Sequence, residues 1–188
     1  VLLITEQLTK PVVENILEQV PAIKQVIVYS DTHDEQFIPW QQLETSPITE
    51  IIPLHATDVA QIIYTSGTTG HPKGAIITHG NLNWMAITAA VYNRLEPSDR
   101  ILVVLPLFHA YAKLQGFLSP IAHGATIYLE EKFHPVETAK ALAQHKITVF
   151  LGVPTMYAYF LQIPNIAQLD FSNLRIAGCG GASLPEEL

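Results

Sequence analysis

The stretch Tyr64–Gly74, YTSGTTGHPKG, restricts what this chain can fold into more than any other segment. Ile62 and Ile63 close an apolar run with the character of a buried strand, and the Gly, Ser and Thr residues from Thr65 to Gly70 cannot prolong it, because glycine favours neither strand nor helix. A loop follows a strand. Such a loop presents backbone N–H groups that bulky side chains do not screen, together with the hydroxyls of Thr65, Ser66, Thr68 and Thr69, and these can surround phosphate oxygens as a nest of donors. Lys73 adds a positive charge, and Pro72 narrows the conformations just before it. A flexible surface turn is the alternative reading. Two other loops are excluded. The Walker pattern fails because Pro72 precedes Lys73 and Gly74 follows it, and the nucleophile elbow fails because Tyr64 stands where its first glycine belongs.

Composition limits the partners. At 188 residues the chain has room for one sizeable domain, or for one domain and part of another. Hydrophobic residues at 48% against 14% charged ones describe a chain that folds around a core. A net charge of -7 with 10 Lys plus Arg argues against a nucleic-acid partner. Cys179 stands alone, so an internal disulfide is excluded, and a reducing compartment, the cytoplasm, is expected. As a nucleophile Cys179 lacks a basic neighbour in the sequence to lower its pKa. The eight histidines are scattered without a zinc-ligand spacing. No apolar run approaches the roughly 18 residues that span a bilayer. A transmembrane segment is therefore not expected, with peripheral attachment to a membrane left open. The opening at Val1 inside an apolar run, and the closing Pro185–Leu188 that reads as the first turn of a helix, give the expectation of a piece of a longer protein.

In chain order, Val1–Ile4 reads as a strand, Pro11–Val20 as a helix with Pro11 in its first turn, and Val26–Tyr29 as a strand buried in a parallel sheet. A short helix is expected near Trp40–Leu43 and a boundary near Pro53–Thr57. The division is thus 1–55, a partial first α/β subdomain with its linker, and 56–188, a second α/β subdomain. Val59–Tyr64 and Ala75–Ile77 form strands on either side of the loop. Asn81 reads as the N-cap of a helix running to about Arg94, and His79 and Asn81 either cap it or close the loop. Ile101–Leu105 is a strand stopped by Pro106. Leu114–His123 reads as a helix ended by Gly124, Ala125–Leu129 as a strand, Pro135–Gln144 as a helix, and Ile147–Leu151 as a strand. Gly152–Thr155 then turns into a helix at Met156–Leu161, and Leu174–Ala177 is the last strand. Alternating strands and helices predict an α/β fold of doubly wound, mostly parallel sheets flanked by helices. His109 and Tyr111 fall just past a strand's carboxyl end, where open α/β sheets bind ligands, although a lone histidine is as readily a core residue.

YTSGTTGHPKG resembles the phosphate-binding signature of the adenylate-forming superfamily, which includes acyl-CoA synthetases, luciferases and peptide-synthetase adenylation domains. LPLFHAYA (Leu105–Ala112) is similar to the second signature of acyl- and aryl-CoA ligases, and Gly178–Ala182 to the segment that packs on adenine and the acyl carboxylate. Ser183 replaces a usual proline there. The resemblance, to the acyl-CoA synthetase and long-chain fatty acid CoA ligase branch, implies part of the large N-terminal domain of such an enzyme. It further implies that a carboxylic acid is joined to AMP from ATP and then passed to coenzyme A. Thr65, Ser66, Gly67, Thr68, Thr69, Gly70 and Lys73 would hold phosphates, with Thr65 and Lys73 catalytic and Thr65 near Mg²⁺. Gly180, Gly181 and Ala182 would face adenine, and His109, Tyr111, Val153 and Thr155 the acid. For Val153 and Thr155, a plain strand-to-helix turn with Thr155 capping is the alternative. The acid would carry no α-amino group, because His109 and Ala110 stand where adenylation domains for amino acids place an acidic residue. The glutamate, aspartate and lysine motifs of the superfamily's later regions do not occur in these residues, so the 188-residue chain alone is expected to be inactive. An acyl-AMP ligase serving a carrier protein and a non-catalytic nucleotide-binding module are the other readings.

Overall fold

The computed structural model describes residues 2–6, 10–17, 19–29, 37–43, 51–65 and 70–186. The chain forms two compact units, Val1–Pro53 and Leu54–Leu188. In the first, β1 (Leu2–Glu6) and β2 (Gln25–Tyr29) pair in parallel, with Ile4 opposite Ile27, and β3 (Ile38–Pro39) adds on the other side of β2. Helix α1 (Lys10–Leu17) makes the crossover. Val26, Ile27 and Val28 are buried in succession, as a strand covered on both faces requires. Val13 of α1 joins Val26, Val28 and Phe37 in this small core. The expected helix to Val20 stops at Leu17, where the Gln19 and Val20 N–H groups both turn back to the Ile16 carbonyl. A short 3₁₀ turn at Trp40–Leu43 follows β3, and Trp40 meets Tyr29 edge-on.

The second unit opens with an antiparallel hairpin of β4 (Val59–Thr65) and β5 (Lys73–Thr78). Helix α2 (His79–Tyr92) continues from it, and here the sequence reading is corrected. The N-cap is Thr78, not Asn81. Thr78 lies in extended backbone, its hydroxyl accepts the Asn81 N–H, and the Asn81 side chain accepts the Thr78 N–H. Two short polar side chains thus satisfy each other's free donors, and the helix gains its first turn before Asn81.

A four-stranded parallel sheet forms the rest: β6 (Arg100–Val103), β7 (Thr126–Leu129), β8 (Val149–Gly152) and β9 (Ile176–Cys179), in the order β7-β6-β8-β9. Along β6 the side chains alternate between two cores. Leu102, followed by Val104 past the strand end, joins Phe150 against α4 (Pro135–Gln144) and α5 (Pro154–Leu161). Ile101 and Val103 join Val149 and Ala90 of α2 on the opposite face. Helices on both faces of a parallel sheet are the doubly wound arrangement. Because the chain steps from β6 outward to β7 and then back across to β8 and β9, the order reverses between β6 and β8. Ligands of such sheets bind in the crevice outside the carboxyl ends at that reversal.

Three further expectations are corrected. β6 ends at Val103, not Leu105, although Val104 stays buried. The helix expected over Leu114–His123 is instead a π-helix at Ala112–Leu118 running into α3 (Ser119–His123). Pro120 lacks an N–H and would crowd the carbonyl four residues back in an unbroken α-helix. The wider turn avoids this, with the Ser119 N–H reaching Leu114 and Gly124 ending the helix in left-handed backbone, φ 74°. β9 begins at Ile176, two residues late, because Leu174 closes a turn with Phe171 and the Arg175 N–H bonds to the Thr148 carbonyl.

Candidate functional site

The hairpin sets Thr65 opposite Lys73, with the Thr65 hydroxyl 3.4 Å from the Lys73 carbonyl it donates to. Both side chains are exposed, at the ends of the strands from which the Gly/Ser/Thr loop departs. Ser66, Gly67, Thr68 and Thr69 lie outside the described residues. Gly70 returns in left-handed backbone, φ 84°, with open space around its Cα.

A second group gathers at the reversal point. After β6 the chain turns at Pro106, whose carbonyl accepts the His109 N–H. His109 is exposed, not a core histidine, and its Nδ1 accepts the Tyr111 N–H at 3.3 Å. Tyr111 lays its ring on the backbone of Gly180: a Cβ there would stand 2.7 Å from the ring carbon Cζ. The Gly180 N–H bonds to the Gly152 carbonyl at 3.2 Å, which ties the loop after β9 to the end of β8. Gly181 follows in left-handed backbone, and its face meets Val153, the N-cap residue of α5. Tyr111, Val153, Gly180 and Gly181 therefore form one constellation across three strand ends. Thr155 stands exposed in the first turn of α5 and does not cap it, because Val153 precedes the proline there and no side chain takes the cap. Ala182 is exposed beyond the glycines.

Tyr157 was not singled out from sequence. It lies one turn into α5, and its hydroxyl donates to the Gly178 carbonyl at 2.6 Å, bracing the base of the glycine loop. Burial pushes its phenol well above the usual range, and burial also raises Tyr111, with Cys179 adding to both. The legible signal was its place after Gly152-Val153-Pro154, where the first turn of a helix must face the strand it has just left. The glycine loop thus rests on two uncharged phenols. No group of three or more His, Cys, Asp or Glu side chains that could hold a metal occurs among the described residues.

Comparison with known families places the chain as a whole. The family model described as AMP-binding enzyme matches residues 1–188. This chain belongs to that family. A feruloyl-CoA synthase from Amycolatopsis sp is 41% identical over 137 residues, covering 73% of this chain and 28% of that protein. A long-chain-fatty-acid–CoA ligase from Bacillus subtilis is 36% identical over 150 residues, covering 79% of this chain and 26% of its own length. The chain thus spans little more than a quarter of these relatives. Among solved structures, an anthranilate CoA ligase in complex with anthranoyl-AMP superposes with a TM-score of 0.82 at 25% identity, over 98% of this chain and 36% of that one. The N-terminal domain of FACL13 from Mycobacterium tuberculosis, with inhibitor bound, also gives 0.82, at 26% identity over 98% and 45%. The α/β fold is that of the N-terminal domain of adenylate-forming enzymes. No helix among the described residues is long and apolar enough to cross a membrane.

Proposed function

We propose that this AMP-binding chain carries the triphosphate- and acid-binding part of an enzyme that activates a carboxylic acid with ATP. The carboxylate oxygen attacks the α-phosphorus, pyrophosphate leaves, and the thiol of coenzyme A then displaces AMP to give acyl-CoA. The observation that carries this reading is the packing of Tyr111 onto Gly180 at the reversal point of the sheet, with Val153 against Gly181 beside it. That packing joins the turn after β6 to the glycine loop after β9.

The chemistry needs positioning and charge neutralisation more than a covalent nucleophile. Thr65 to Gly70 would hold the β- and γ-phosphates, with the Lys73 ammonium offsetting their charge. The exposed, uncrowded Gly70 and the paired strand ends at Thr65 and Lys73 suit that role. Gly180, Gly181 and Ala182 would take the adenine side, and His109, Tyr111, Val153 and Thr155 the acid. Magnesium, when bound, would neutralise the triphosphate. Thr65 offers it one oxygen, and phosphates and water supply the rest, as this ion prefers. The acid is apolar, a fatty or an aryl acid, in keeping with the CoA ligases among the relatives. The cytoplasm is the setting we assign.

The test is ATP–pyrophosphate exchange by the full-length protein against fatty, aryl and amino acids. Exchange with an apolar acid, lost on Lys73→Ala, is the expected result. Exchange restricted to amino acids, or unaffected by that substitution, overturns the assignment.

A further inference from the structure

Tyr157 lies in the first turns of α5, where it faces back onto the end of β8. Its ring packs on Gly152: a Cβ there would stand 3.1 Å from the ring carbon Cε2. Phe150 and Phe160 meet the same ring edge-on, at centroid distances of 5.9 and 6.3 Å. A tyrosine side chain has only two torsions, so contacts on this scale fix the ring and with it the direction of the hydroxyl.

The hydroxyl carries one hydrogen, and two carbonyls lie near it. That of Gly178 is at 2.6 Å and that of Phe150 at 3.4 Å, so the hydrogen goes to Gly178. Burial pushes the phenol above its ordinary range, and the hydroxyl therefore keeps its proton and its role as donor at neutral pH. Gly178 is itself close-packed, since a Cβ there would stand 2.6 Å from Cδ2 of Leu151. Two residues on, the Gly180 N–H is tied to the Gly152 carbonyl, and the Tyr111 ring covers the Gly180 Cα. The chain leaving β9 is thus held at Gly178 by α5, and at Gly180 by the end of β8 and the turn after β6. Of these holds, the one at Gly178 comes first, and it sets the direction in which the loop departs.

We propose that Tyr157 is a positioning residue: through the Gly178 carbonyl it sets the path of Gly180–Ala182, and so the fit of the adenosine part of the nucleotide, without touching the nucleotide itself. The proposal rests on the acid-activating reading above, in which that loop takes the adenine side.

The experiment is ATP–pyrophosphate exchange by the full-length protein carrying Tyr157→Phe, which removes the hydroxyl and keeps the packed ring. The KM for ATP is expected to rise about tenfold, the scale of one buried hydrogen bond lost with its acceptor left in place. The kcat and the KM for pyrophosphate, which would engage Thr65–Lys73 and not the glycine loop, are expected to stay within about twofold. A common rise in both KM values, a fall in kcat alone, or unchanged kinetics overturns the proposal. So does a Tyr157→Phe protein that fails to fold, because the hydroxyl would then serve the core and not the site. If no acid supports exchange by the wild-type protein, the activation reading falls. Calorimetric binding of AMP to the full-length protein then decides the role of Tyr157. Affinity weakened about tenfold by Tyr157→Phe supports it, and equal affinity, or no AMP binding by the wild type, overturns it.

Discussion

Gly180 shows what one absent methyl group can decide. The Tyr111 ring occupies the space where a Cβ would be, at 2.7 and 2.8 Å from two ring carbons, closer than such atoms approach. Gly180→Ala must therefore push the ring or the loop aside, a cost of about 1–3 kcal/mol for overpacking of this kind. We expect Gly180→Ala to lower kcat/KM for exchange by about tenfold or more in the full-length protein. Tyr111→Leu in the same background should recover part of the loss, because the smaller side chain frees the space. The coupling read from the double-mutant cycle should be about 1 kcal/mol or larger. Strictly additive effects would mean that the contact does not shape the site. The glycine cluster was legible as a loop, and Tyr111 as a residue past a strand end. That the two touch was not legible, because nothing local encodes the order β7-β6-β8-β9 that brings their strands to neighbouring positions.

At the scale of elements, the ligand end of the sheet depends on how the opposite end is held. Asp99, buried just before β6, accepts from the Thr148 hydroxyl at 2.6 Å, from the Glu96 N–H at 2.7 Å, and from Arg175 at Nε, 2.9 Å, and at Nη2. Arg175 also donates to the Arg94 carbonyl. One carboxylate thus fixes the starts of β6, β8 and β9. Burial works to raise its pKa, but the hydrogen bonds from Arg175, Thr148 and Glu96 outweigh it and hold the carboxyl below the usual range. A depressed carboxylate contributes stability that is present above its unfolded pKa of about 3.9 and lost as pH falls through the lower folded value. We expect Asp99→Asn to weaken this end of the sheet by about 2 kcal/mol at neutral pH. Amide exchange at Thr148 and Ile176, whose N–H groups bond across these strand starts, should then quicken roughly 30-fold. Below about pH 4 the difference from wild type should shrink. Unchanged exchange at neutral pH would show the network to be dispensable. Sequence periodicity found every strand of this sheet to within a few residues, since β-branched and apolar runs such as Ile147–Leu151 mark strands by themselves. It placed β9 two residues early and read Leu114–His123 as one ordinary helix, because the turn that Leu174 closes with Phe171 leaves no apolar–polar signal and Pro120 alone does not say whether a helix breaks before it or widens. The Thr78 cap was missed for a smaller reason: both Thr78 and Asn81 are good caps, and the strand's end decided between them.

At the scale of the whole molecule, the surface is unlike that of a self-sufficient domain. Tyr64 and Ile76 on the hairpin, and Trp84, Val91 and Tyr92 on α2, are each more than half exposed, from 64% for Ile76 to 84% for Tyr92. A two-stranded hairpin of this kind is marginal by itself, and α2 is apolar on nearly every side. Exposed apolar surface on this scale marks contact with something else. The relatives are more than three times as long as the matched region, since it covers 28% of one and 26% of another. We therefore expect the 188-residue chain, made alone, to bind a hydrophobic dye more strongly per mole than the full-length protein, and to give no ATP–pyrophosphate exchange with acids the longer protein uses. The two readouts separate two causes. Strong dye binding without exchange means that the chain lacks both cover for its apolar faces and groups needed for catalysis. Weak dye binding without exchange would mean that the exposed faces close on themselves, and that only catalytic groups are missing. Exchange by the short chain would place the whole activating machinery within Thr65–Ala182, and would require Lys73, His109 and the Tyr111–Gly180 contact to suffice for the chemistry.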